Sequence, residues 1–138
     1  MTWVVDTSAL IDVLEDDPEF GEASAQALDA LAEDGLTICP ITYAELAPAF
    51  EGSRDLQEEF LTGIGVSFAE DWTRQDTLAA FEAWHAHVRR RRGGEGPRRP
   101  IAGILIGAFA QRHQGLVTRN QDHFRPAFPE LEIRNPAG

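Results

Sequence analysis

The chain contains no lysine; all twelve of its basic residues are arginine. It has a single cysteine, Cys39, so no internal disulfide can form and nothing calls for an oxidising compartment. Cys39 follows the apolar run Leu36-Thr37-Ile38 and reads as a buried, unreactive thiol, because cysteine is among the most buried residue types. No window approaches the ~18 unbroken apolar residues that a membrane span needs. The opening Met-Thr-Trp-Val-Val-Asp has neither the basic start nor the apolar stretch of a signal peptide. The expectation is a cytoplasmic protein that does not engage a membrane.

At 138 residues, 43% of them hydrophobic and 25% charged, the chain is expected to form one soluble globular domain spanning 1–138. A domain of that length buries enough surface to fold without disulfides or structural metal. The net charge of −11 argues at first against a nucleic-acid partner, but the charge is unevenly placed. Residues 1–88 carry 19 acidic side chains and only Arg54 and Arg74 as bases, whereas residues 89–138 carry ten arginines and four acids. Such asymmetry points to a polyanion or a charged partner, and the planar guanidinium fork suits phosphate. All-arginine usage is equally what a biased genome composition produces.

Residues 2–5 form a short β-rich apolar run ending at Asp6, a buried strand feeding a turn. Helical spacing follows through Leu10, Ile11 and Leu14, and a second helix is expected over 18–32, starting at Pro18. Residues 36–39 read as the second strand. Over 40–50, Thr42 and Glu45 have the spacing of a capping box, and Pro48 limits the helix. A short helix over 54–61 and a strand over 66–68 come next. The longest helical pattern runs from 73 to about 91, with Leu78, Phe81, Trp84 and Val88 on one stripe. Gly93-Gly94-Glu95-Gly96-Pro97 is a loop. A helix over 101–110 and strands over 115–118 and 131–133 complete an alternation that predicts an α/β/α sandwich around a mostly parallel sheet.

In such a sheet, sites form beyond the carboxyl ends of the strands. Asp6 with Thr7 and Ser8 ends the first strand, Glu45 follows the second, and Thr118, Asn120 and Asp122 follow the late one. Gathered carboxylates call for a cation, and Mg²⁺ or Mn²⁺ suits oxygen donors. Taken singly, Asp6 is equally a helix N-cap, Glu45 equally the closing residue of the Thr42 box, and Asp122 more often an exposed turn former.

Taken together they resemble a known family. Val4-Val5-Asp6-Thr7-Ser8-Ala9-Leu10-Ile11 resembles the opening of PIN domains, and Ile41-Thr42-Tyr43-Ala44-Glu45-Leu46 resembles their second motif. The run from Pro100 to Ala108 resembles the third, and Leu116-Val117-Thr118-Arg119-Asn120 with His123-Phe124 the fourth. Order, spacing and length are similar to those of VapC-type toxins over nearly the whole chain. That resemblance implies a ribonuclease dependent on Mg²⁺ or Mn²⁺, with Asp6 and Glu45 as metal ligands and Thr7 or Ser8 and Thr118 as orienting hydroxyls. The fourth acidic position falls near Asn120, with Asp122 two residues on. It also implies a VapB-type antitoxin whose tail occupies the cleft, and a homodimer, for which Phe50, Phe60 and Leu61 offer candidate apolar surface.

The third motif departs from the pattern, because Gly103 stands where the family carries a ligand Asp. Three readings are open: an inactivated variant, a PIN module that binds RNA or antitoxin without cutting, or a weaker site completed by Asp122 and water. A phosphatase of the haloacid-dehalogenase type also begins with a strand ending in Asp, but it needs a second Asp where Ser8 stands, and a lysine. Arg89–Arg92 with Arg98 and Arg99 form the densest charge, either a phosphate-gripping edge or cations answering a helix C-terminal dipole. Trp3, Trp72, Trp84 and the phenylalanines are expected in the core or at an interface rather than as stacking platforms. The histidines show no metal-ligand spacing, and only His123 falls near the expected cleft.

Overall fold

A computed structural model describes residues 2–94 and 101–138. Strand β1 (Trp3–Val5) leads into helix α1 (Thr7–Leu14), and α2 (Gly21–Leu31) follows. Then come β2 (Leu36–Thr37), α3 (Pro40–Glu45), α4 (Arg54–Gly63), β3 (Val66–Ser67), α5 (Arg74–Arg92), α6 (Ile101–Gln111), β4 (Gly115–Val117), α7 (Gln121–Phe124) and β5 (Ile133–Arg134). The strands lie in the order β3-β2-β1-β4-β5, and every pairing is parallel. The expected α/β architecture is therefore the one observed.

Strand alternation makes two cores, since successive side chains leave opposite faces of a sheet. Trp3, Val5 and Val117 point into one with Leu10 of α1, Leu28 of α2 and Leu61 of α4. Val4 and Leu116 point into the other with Ala80 and Ala83 of α5, Phe109 of α6 and Phe124 of α7. The sheet is thus sandwiched between helices.

Several boundaries shift for local reasons. The second helix starts at Gly21 rather than at Pro18, because the Asp17 carboxylate accepts hydrogen bonds from the amides of Glu19 and Phe20 and holds that segment as a turn. The helix after β2 stops at Glu45, and residues Ala47–Phe50, with Pro48 near their start, continue as a 3₁₀ turn. Helix α5 begins as expected, with a capping box between Thr73 and Asp76. Its packed face differs from the apolar stripe, however. Asp76, Ala80, Ala83 and His87 face inward, while Leu78 and Phe81 are 48% and 72% exposed. Helix α6 packs closely along α5, and small residues allow two backbones to approach where larger ones would hold them apart.

The apolar residues expected to offer a dimer contact are instead internal. Phe50 and Leu61 are buried in the first core, and Phe60 packs against it beside Phe50, with ring centroids 5.5 Å apart. Of the expected basic loop, Gly93 and Gly94 form a turn after α5, and Arg98 and Arg99 lie outside the described residues. Among the described residues, no helix is long and apolar enough to cross a membrane.

Candidate functional site

Chain order runs outward from β1 through β2 to β3, then returns to the other side of β1 with β4. The point where strand order reverses leaves a crevice at the carboxyl ends of the two central strands. Val5 pairs with Val117, so the next residues, Asp6 and Thr118, emerge side by side, and the Asp6 amide donates to the Val117 carbonyl at 2.9 Å. The crevice there is a cleft of about 220 Å³ lined by Asp6, Thr7, Ser8, Glu45, Gly103 and Asn120, with His123 and apolar residues of α6 and α7.

Asp6 occupies the N-cap position of α1, but its side chain makes no capping hydrogen bond. Its Oδ2 instead accepts from the Thr118 hydroxyl at 2.7 Å and the Ser8 hydroxyl at 3.0 Å. Thr118 also accepts the Asn120 amide at 3.0 Å, which ties the loop after β4 to the same carboxylate. Burial pushes the Asp6 carboxyl above the ordinary carboxylate range; the hydrogen bonds from Thr118, Ser8 and the Thr7 backbone, and the charge of His123, only partly offset it.

Glu45 is the last residue of α3, and that helix is capped at Cys39, so the expected Thr42–Glu45 box does not form. Thr42 is buried and sits 3.1 Å from the Thr7 hydroxyl, which donates to Glu45 Oε1 at 2.8 Å. Residues 38 positions apart are thereby joined at the cleft. Cys39, beneath α3, is wholly buried, and desolvation pushes its thiol up to about 11.

Asp6, Glu45, Gly103 and Asn120 thus share one cleft, and Thr118 touches its central carboxylate. Asp122 is exposed on the first turn of α7 and is not among the lining residues; its neighbour His123 is. Among the described residues, nothing lies within 4 Å of the position a Cβ would take at Gly103, so a longer side chain has room there. Two carboxylates and an amide oxygen could hold a hard divalent cation. Among the described residues, no group of three or more His, Cys, Asp or Glu is placed to do so.

Sequence reasoning missed the clamp beside this cleft. Asp12, on α1 and buried, takes Arg119 Nε on Oδ2 at 2.6 Å and Nη2 on Oδ1 at 3.3 Å. Asp12 falls one turn and a half after Asp6 on an amphipathic helix, a place where an acid reads as solvent-facing. Only its burial beside a distant arginine reveals the pair.

The fold has solved counterparts. One is in the crystal structure of VapBC2 from Rickettsia felis bound to a DNA fragment from their promoter, with a TM-score of 0.71 at 19% identity over 98% of both chains. Another is in the structure of VapBC-1 from nontypeable Haemophilus influenzae, with a TM-score of 0.64 at 17% identity over 100% of both chains. No curated protein sequence matches the chain. The model of the PIN domain matches residues 3–129, which include the β1–β4 crevice and every residue lining its cleft; the chain belongs to the PIN domain family.

Proposed function

We propose that the chain is the toxin of a VapBC-type pair, an Mg²⁺- or Mn²⁺-dependent endoribonuclease whose cleavage is weakened by Gly103. The observation that carries this reading is the convergence of Asp6 and Glu45 on one cleft whose wall is vacant at Gly103. PIN domains are nucleases as a class, and the finer reading adds the metal, the RNA and the impairment.

Asp6 and Glu45 would hold the cation, with the Asn120 side-chain oxygen as a neutral donor and Asp122 reaching the cleft only through water. One or two carboxylates suffice for Mg²⁺, which keeps several waters and takes substrate phosphate oxygens. Once bound, such an ion polarises a phosphate and lowers the pKa of a coordinated water. The chain's own side chains have separate tasks. Thr118 and Ser8 fix the rotation of the Asp6 carboxylate from one side, and Thr7 fixes Glu45. Arg89 and Arg90, which line a shallow site near the end of α5, would grip phosphates flanking the cut. A VapB-type antitoxin would silence the site by placing an arginine against the two carboxylates, and the active form would be a homodimer.

A second reading follows from the carboxylate count. With two acids lining the cleft among the described residues, the chain would bind RNA or antitoxin without cutting. Restoring an acid decides between them. Gly103→Asp should raise Mg²⁺- or Mn²⁺-dependent cleavage of RNA by about tenfold or more, with tighter metal binding by titration. RNA binding with no cleavage by either form, even at high Mn²⁺, selects the binding module.

A further inference from the structure

The aromatic residues are mostly internal, as their apolar area demands, but Phe68 is 42% exposed. Its ring lies flat on Tyr43, with centroids 4.0 Å apart and planes 12° from parallel. Tyr43 is itself half-buried against the first core, and its carbonyl accepts a 2.8 Å hydrogen bond from the buried Gln57 side chain. The support under Phe68 is therefore anchored through both its backbone and its packed ring. Just before it, the Ser67 carbonyl accepts from the buried Thr37 hydroxyl at 3.2 Å, which fixes the end of β3. Glu70, two residues on, has its carboxylate occupied by His113 and Arg112.

The position matters as much as the exposure. Phe68 leaves β3 at the carboxyl edge of a wholly parallel sheet, the same edge that carries the cleft. Tyr43 sits on α3 two residues before Glu45, and residues two apart on a helix point to opposite sides. The stacked pair is thus separated from the cleft carboxylates by about the width of one helix, roughly 10 Å. A ring already immobilised on its support loses little further freedom when a second flat group covers it.

We propose that Phe68, backed by Tyr43, is a stacking subsite for an unpaired nucleobase of the RNA strand whose phosphodiester lies at the Asp6–Glu45 cleft. This rests on the ribonuclease reading above and adds to it a base-contacting side chain outside the cleft. The base on Phe68 flanks the cut rather than belonging to it. Stacking uses the π-face that every base has, so the subsite selects single-stranded over duplex RNA and tolerates different bases.

The test is binding of a labelled single-stranded oligoribonucleotide and of its duplex to the wild-type chain, Phe68→Ala and Phe68→Trp, with Ca²⁺ in place of Mg²⁺ to suppress cleavage. Phe68→Ala should weaken single-strand binding by about fivefold or more and leave duplex binding unchanged. Phe68→Trp should keep single-strand affinity, and the added indole emission, measured against wild type, should be quenched by the single strand. Equal single-strand affinity in all three forms overturns the subsite while leaving the ribonuclease reading intact. So does a Phe68→Ala variant that keeps its RNA affinity but no longer retains a co-expressed antitoxin, which makes the ring a protein contact. A wild-type chain that binds neither RNA overturns both.

Discussion

Arg119 grips Asp12 through two nitrogens, 2.6 and 3.3 Å from the carboxylate oxygens, and lays its guanidinium over the Phe20 ring at 4.6 Å. One side chain from the loop after β4 therefore binds both α1 and the segment leading into α2. The pairing is lopsided: the Asp12 side chain is 3% exposed and that of Arg119 is 30% exposed.

That difference predicts unequal costs. Arg119→Ala strands a buried carboxylate and should destabilise the fold by about 3 kcal/mol. Asp12→Asn leaves an arginine that can turn to water, and should cost about 1 kcal/mol. Urea unfolding of both variants measures the gap, and equal losses would show that the clamp does not carry a buried charge.

Asp6 should make the metal-free chain less stable as pH rises. Its folded pKa lies above the unfolded value because burial disfavours the charged form. The unfolded chain therefore gives up this proton first, and stability falls as pH climbs from the unfolded pKa through the raised folded one. Asp6→Asn should melt above wild type at neutral pH, with the difference vanishing near pH 3, below the ordinary aspartate range. Thermal melts in EDTA across that window read the effect. Added Mn²⁺ should raise the wild-type Tm and leave the variant's nearly unchanged.

Two glycines four apart on α6 should respond oppositely to alanine. At Gly107 a Cβ would stand 2.2 Å from Cε2 of the buried Phe128 ring, whereas at Gly103 it meets nothing within 4 Å among the described residues. Gly107→Ala should destabilise by roughly 1–3 kcal/mol through overpacking. Gly103→Ala should stabilise by up to about 1 kcal/mol, the helix propensity gain alone. Denaturant midpoints compare them directly, and a destabilising Gly103→Ala would mean that this wall of the cleft is closed.

Arg89 and Arg90 should govern the salt dependence of RNA binding. Each phosphate contact on a single strand contributes roughly 0.7 to the slope of log K against log salt. Arg89→Ala with Arg90→Ala should flatten that slope by about 1.4 and weaken binding at low salt. An unchanged slope would leave these arginines as cations answering the negative end of α5.

The alternation of apolar runs and helical spacing was enough to place the first four strands, to bring the last within two residues of β5, and to predict a mostly parallel sheet, because side-chain period is a local property. The motif residues Asp6, Glu45, Gly103 and Asn120 were legible too, since each lies in a strand-end loop or on the short first turns of a helix beside one. Whether Asp6 capped a helix and whether Glu45 closed a box on Thr42 were not. Both depend on partners outside the window: Thr118 lies 112 residues from Asp6, and Thr7 lies 38 from Glu45. The α5 stripe misled for the same reason. Leu78 and Phe81 have the spacing of a core face, but α6 packs on Ala80 and Ala83 instead.

The amino-acid order alone therefore determined the class of fold, the run of elements apart from the short α7, and the absence of an acid at position 103. Tertiary structure alone decided that Asp6 and Glu45 face one cleft, that Asp12 is buried under Arg119, that Phe50 and Leu61 are interior, and that Phe68 is exposed on Tyr43. Period and propensity act over one turn or one strand, whereas burial and charge pairing are settled by which distant segments the sheet brings side by side.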